Sequence, residues 1–134
     1  MATPVLVVQD VEGNNRVAVS TDAITATFAD LRVASQTGLT ALAGGAQAGT
    51  PLKPGFNQFS VVASGSDSAQ LPVALPGMLV IVSTIAATNA LAVFAQTGDT
   101  INAIAANSAF SLATVKVAIF ICAVAGKWYT ILTA

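Results

Sequence analysis

The residues of this chain that could do chemistry are few: six carboxylates, one thiol and no histidine. Without histidine there is no Ser-His-Asp or Cys-His arrangement and none of the usual zinc sites. Asp10 and Glu12 stand two residues apart beside a turn. A glycosidase-type pair needs two carboxylates facing each other across a cleft, so these two read as a solvated turn. Asp67 and Asp99 each follow a glycine turn, where aspartate bonds its own backbone. Neither loop supplies the several carboxylates that calcium requires. The glycine-rich run Ala43–Gly49 lacks the Lys-Ser/Thr ending of a phosphate loop. Cys122 sits in the apolar run Val117–Val124 and reads as a small buried hydrophobe. Lys116 and Lys127 read as exposed charges that blunt sticky strands. Trp128 and Tyr129 could stack on a sugar, but anchoring the last strand in the core is the better reading. No active site, cofactor site or metal site is expected, and the chain reads as non-enzymatic.

Composition points to assembly. Hydrophobic residues make up 54% of the chain and charged ones 8%, against the usual quarter. The polar surface must come from Ser, Thr, Asn and Gln, which protect a monomer poorly from association. Net charge is −1, and the five Lys and Arg residues are scattered, so direct nucleic-acid binding is not expected. Mean hydropathy is +0.76. The uncharged stretch from Met78 to Ala95 nevertheless contains Ser83, Thr84, Thr88 and Asn89, and lacks positive flanks and interfacial aromatics. It reads as strands rather than a membrane helix. The first residues, Met1 to Val5, lack the basic start of a signal peptide.

These features must be carried by β-structure. Residues 1–34 hold six of the eleven charges and read as an arm of short strands: Val5–Val8, Arg16–Ser20 and Ala23–Phe28. Residues 35–55 read as a Gly/Pro-rich connector, with room for a helical turn at Leu39–Leu42. Residues 56–134 read as the compact part, with strands at Phe56–Ala63, Gln70–Ala74, Met78–Ile85, Ala90–Ala95, Ser108–Ala113, Val115–Val124 and Lys127–Leu132. Strands about every ten residues, separated by Gly, Pro and Asn turns, predict an all-β sandwich or barrel, jelly-roll-like, with an extended N-terminal arm. Long apolar runs predict strands covered on both faces, one by the core and one by a neighbour. The segments Val62–Ser68 and Phe94–Thr100 echo each other and read as shared turn chemistry.

The segment from about Gln70 onward resembles a module of tailed-bacteriophage virion proteins. It is carried by Leu71 and Pro72, by Asn89–Phe94, by the stretch Gly98-Asp99-Thr100-Ile101-Asn102 running on to Asn107, by Phe110–Leu112, and by Ala123–Tyr129 with Gly126 and Trp128. The resemblance covers about half of the chain. It implies a capsid decoration (cement) protein or the base of a head fibre: a homotrimer, bound to the major capsid protein on the outer surface of the virion. In that setting Gly98 and Asp99 would make a tight turn, and Ile101 and Ile104 would point into the core. Asn102 and Asn107 would satisfy loop backbone groups, and Trp128 would pack under the last strand. The arm lies outside the resemblance. Its weak local core and concentrated charge make Val5, Val7, Arg16, Val19 and Arg32 the candidate capsid contacts. The alternatives are a fibre or spike module that binds host glycans, and a tail or baseplate component.

Overall fold

A computed structural model describes residues 5–9, 15–20, 33–44 and 47–133. The chain divides into two units, Met1–Arg32 and Val33–Ala134. Among the described residues there is no helix, and the all-β expectation holds.

The first unit contributes a hairpin of β1 (Val5–Gln9) and β2 (Asn15–Ser20). Both were legible as short apolar strands around the turn at Glu12–Asn15. They pair antiparallel from Val5↔Ser20 to Val8↔Val17, and the register then shifts to Gln9↔Asn15. Arg16 is therefore the extra residue of a bulge, a device that twists a strand locally. The expected strand Ala23–Phe28 and Arg32 lie outside the described residues.

The second unit holds ten strands: β3 (Ser35–Thr40), β4 (Thr50–Pro51), β5 (Gly55–Val61), β6 (Ser68–Gln70), β7 (Leu79–Thr84), β8 (Leu91–Phe94), β9 (Thr100–Ile101), β10 (Phe110–Leu112), β11 (Val117–Val124) and β12 (Lys127–Leu132). They form a six-stranded sheet, ordered β3-β5-β7-β11-β12-β9, and a four-stranded sheet, ordered β10-β8-β6-β4. From β3 to β8 the chain crosses between sheets at every step. In one sheet β3, β5 and β7 run parallel; in the other β4, β6 and β8 do. This is a coil of three turns, solenoid-like rather than a jelly roll, whose neighbouring strands are antiparallel. The expected sandwich connectivity is corrected on that point. Strand-turn-strand spacing fits both architectures, because each needs alternate residues aimed between two sheets.

After the third turn the direction reverses. β10 pairs antiparallel with β8, β11 with β7 and β12 with β11, while β9 joins β12 in parallel. The last strands thus cover the edges that the third turn would leave open, as a coil of parallel strands requires at its ends.

Residues 35–55 are more than a connector, since they carry β3 and β4, and no helical turn forms at Leu39–Leu42. The misleading signal was Gly38. It sits at φ +72° where the pairing of β3 on β5 skips from Gln36 to Leu39, so the glycine marks a bulge within a strand rather than its end. The strand expected at Gln70–Ala74 lies earlier, at Ser68–Gln70, because Pro72 cannot donate to a ladder.

The core lies between the two sheets. Phe59, Val80, Val82, Ala118, Phe120, Cys122 and Trp128 enter it from the six-stranded sheet, and Ala69, Leu91, Val93 and Leu112 from the other. At about 25 cal/mol per Å² of apolar area removed from water, this layer is the main stabilising term.

Candidate assembly surface

Along β7, β11 and β12 the residues that alternate with the core positions point away from it. The cross-strand register aligns them into rows. Phe56, Ile81, Ile119 and Ile131 form one row across four adjacent strands. Leu79, Ile121 and Tyr129 form the next. Ile131 is 59% exposed, Tyr129 43% and Ile121 37%, whereas their inward neighbours Trp128, Phe120 and Cys122 are fully buried. The six strands of this sheet contain a single charged residue, Lys127. Its Nζ stands 5.4 Å from the centroid of the Tyr129 ring, within cation–π reach.

The outer face of the four-stranded sheet is different. Ser68, Ala92 and Ser111 align in one row, of which Ser68 is buried, and Pro51, Gln70 and Phe94 in another. It is built mainly of small and polar side chains. One side of the coil therefore presents large aliphatic residues to its surroundings, and the other does not.

The residues from Gly98 to Asn107, with Gly126 and Trp128, meet at one corner of the six-stranded sheet. Gly98, at φ +89°, permits the turn in which the Asp99 amide donates to the Gln96 carbonyl at 2.9 Å. Thr100 and Ile101 form β9, and the Thr100 amide donates to the Gly126 carbonyl at 3.0 Å. Ile101 is buried, while Ile104 is only half-buried. The Asn102 amide donates to the Trp128 carbonyl at 2.8 Å. In the Asn102 side chain, Oδ1 accepts from the Thr130 amide at 3.0 Å and Nδ2 donates to Thr130 Oγ1 at 2.6 Å. Asn107 Oδ1 accepts from the Gly98 amide at 2.9 Å and from Gln47 Nε2 at 2.8 Å. Side-chain amides thus fasten a loop that has too little regular structure to hold itself. We expect Asn102→Ala to lower stability by about 2 kcal/mol, since it orphans the Thr130 amide and places alanine at φ +53°. Asn102→Gly, which tolerates that φ, should cost less; thermal denaturation of the two variants checks the order.

Asp10 and Glu12 lie outside the described residues; the other carboxylates considered for chemistry have structural roles. Asp67 is buried, and its Oδ2 accepts from the Ala63 and Ser64 amides at 2.9 and 3.0 Å. The Asp67 amide donates to the Ser64 carbonyl, the same turn closure that Asp99 makes, which matches the echo between the two segments. Among the described residues no cluster of His, Cys, Asp or Glu could hold a metal ion. Trp128 is buried in the core, so its ring offers no stacking face; Tyr129, expected with it as a core anchor, points outward instead. Lys116 and Lys127 are half-buried rather than exposed. No helix among the described residues is long and apolar enough to cross a membrane.

Burial pushes the Cys122 thiol above its usual pKa, and Sγ donates to the Val124 carbonyl at 3.2 Å. The folded state therefore holds the proton more tightly than the unfolded chain. Any stability from this group is full below the usual thiol range and is lost as pH rises above it. Cys122 should stay unreactive toward a thiol reagent at pH 8 in the folded protein and react fully in denaturant, as absorbance of the released chromophore would report.

Of the candidate capsid contacts, Val5 and Val7 lie on β1 and Arg16 and Val19 on β2; Arg32 lies outside the described residues. Apart from Tyr129, the outward rows were not among the residues singled out in the sequence, although the long apolar runs of β7 and β11 carried their signal. No protein-family model, curated protein or solved structure matches the chain.

Proposed function

We propose that this chain is a structural virion protein that binds the outer surface of a tailed-phage capsid as a homotrimer and stabilises the shell by bridging neighbouring capsid subunits. The observation that carries an assembly role is the aliphatic face of the six-stranded sheet, whose strands carry Lys127 as their one charge, because a protein working as a monomer rarely leaves such a surface open. The capsid as partner rests on the resemblance of the stretch from Gly98 to Asn107 and of the Gly126 and Trp128 segment to phage-head proteins. The chain's work on this reading is mechanical: added apolar burial between subunits resists pressure from packaged DNA. The hairpin of β1 and β2 is the candidate clasp, acting by strand addition to the shell or to a neighbouring subunit.

Co-sedimentation with purified, undecorated capsids tests this. The full chain should pellet with capsids and raise the temperature at which they disrupt. A chain lacking residues 1–32, with unchanged circular dichroism, should remain in the supernatant. Full decoration by the shortened chain would refute the clasp, and no binding by the intact chain would refute the capsid role. Glycan binding that is lost in Tyr129→Ala would favour the fibre or spike alternative.

A further inference from the structure

We infer that the outer face of the six-stranded sheet is covered by the same face of further copies of this chain, with Phe56, Ile81, Ile119, Ile121, Tyr129 and Ile131 at the centre of the contact. The capsid reading supplies the expected number of copies, three, and nothing else in the inference. Three observations point to a copy of the chain rather than to a different partner.

The first is size. Six strands about 4.8 Å apart, averaging about six residues at about 3.3 Å, give a footprint of roughly 600 Å². Side-chain relief raises its accessible area toward the roughly 800 Å² that each partner buries in a standard specific interface. The aliphatic rows fill its middle. Gln58 and Lys127 stand toward its margins, so the face has the apolar centre and polar rim of an interface.

The second is charge. An interface that selects a different macromolecule uses complementary charge to steer and discriminate. This sheet has only Lys127, already placed over its own Tyr129 ring at the β12 side. Self-pairing meets no like-charge opposition across the central rows.

The third is contrast within the molecule. The opposite outer face presents Gln70, Ala92 and the exposed Ser111, with Ser68 buried and Phe94 half-buried, and so carries no comparable aliphatic rows. A chain with 8% charged residues is exposed to association from the moment it folds. The partner always present at that moment is another copy. Covering the aliphatic face while leaving the small, polar face outward resolves the imbalance.

Sedimentation velocity of the full chain at micromolar concentration tests the inference. The wild type should sediment at two or three times the 13.4 kDa chain mass. Ile121→Lys and Ile131→Lys should weaken self-association by at least about tenfold, since a charge at the centre of an apolar contact must be desolvated. Ser111→Lys, on the opposite face, should leave the mass unchanged. Far-UV circular dichroism and a cooperative urea transition establish that each variant is folded. Should a lysine variant not fold, Ile131→Cys treated with a short bismaleimide takes its place: linked dimers are expected there, and none from Ser111→Cys. A monomeric wild type, lysine variants of undiminished mass, or linkage at position 111 instead of 131 would each overturn the inference. The two readings fail separately. A chain that self-associates through this face yet ignores capsids refutes only the capsid role, and a chain that decorates capsids as monomers refutes only the self-association.

Discussion

Replacing Phe120 by alanine should lower the free energy of unfolding by about 3–5 kcal/mol, the range for emptying a large aromatic site in a packed core. Phe120 is fully buried on β11, where it stands between Val80 of β7 and Thr130 of β12. Its ring meets that of Phe110 at 84° with centroids 5.4 Å apart, an edge-to-face contact. Because Phe110 belongs to the four-stranded sheet, this contact ties the two sheets together. Domains of this size are stable by only about 5–15 kcal/mol, so the loss would populate unfolded chains measurably. Urea denaturation should show a lower midpoint with an unchanged slope. Val73→Ala, at a side chain 63% exposed, should change the free energy of unfolding by less than about 0.5 kcal/mol. Equal effects at the two positions would mean that the space between the sheets is not the stabilising core.

Asn57→Leu should cost about 3 kcal/mol although it replaces a polar side chain with an apolar one in a buried site. Asn57 occupies an inward position of β5 and is completely buried. Its Oδ1 accepts from the Lys53 amide at 3.1 Å. Its Nδ2 donates to the carbonyls of Lys53, Gly55 and Ile81 at 2.9, 3.2 and 3.3 Å. The side chain therefore closes the corner by which the chain enters β5 and fastens it to β7. Leucine fills the volume but orphans buried backbone groups, each at about 1–3 kcal/mol. Asn57→Asp should be worse than leucine at neutral pH, because it aims a carboxylate at three carbonyl oxygens without a countercharge. Chemical denaturation of the three proteins gives the order directly; a leucine variant as stable as wild type would contradict the role assigned to Asn57.

The long strands were legible in the sequence because their composition and alternation agree. The segments read at Met78–Ile85, Ala90–Ala95, Val115–Val124 and Lys127–Leu132 contain β7, β8, β11 and β12 with small differences at their ends. β4 and β9 were not legible, because two residues carry no period. β3 was hidden by Gly38, a bulge residue that looks like a break. Pairing direction was hidden more deeply. A strand aimed at a core has the same alternation whether its neighbour runs parallel or antiparallel, so a coil and a jelly roll read alike until register is known. The corner around β9 was partly legible, in that Gly98 and Asp99 signal a turn and Asn102 and Asn107 signal loop fastening. Which backbone groups they would satisfy depends on β12, which passes the corner about thirty residues later in the chain. The outward aliphatic rows were present in the sequence only as an excess of apolar residues. The register of four strands turns that excess into a surface.

Cryo-electron microscopy of purified virions that carry this chain shows where on the particle it sits and how its copies pack. Three-fold density is expected on the outer face of the head, with the six-stranded sheets turned toward one another and the four-stranded sheets outward. Density in the tail or confined to a host-facing spike would contradict the capsid role, and isolated single copies with the aliphatic face open to solvent would contradict the assembly it is proposed to serve.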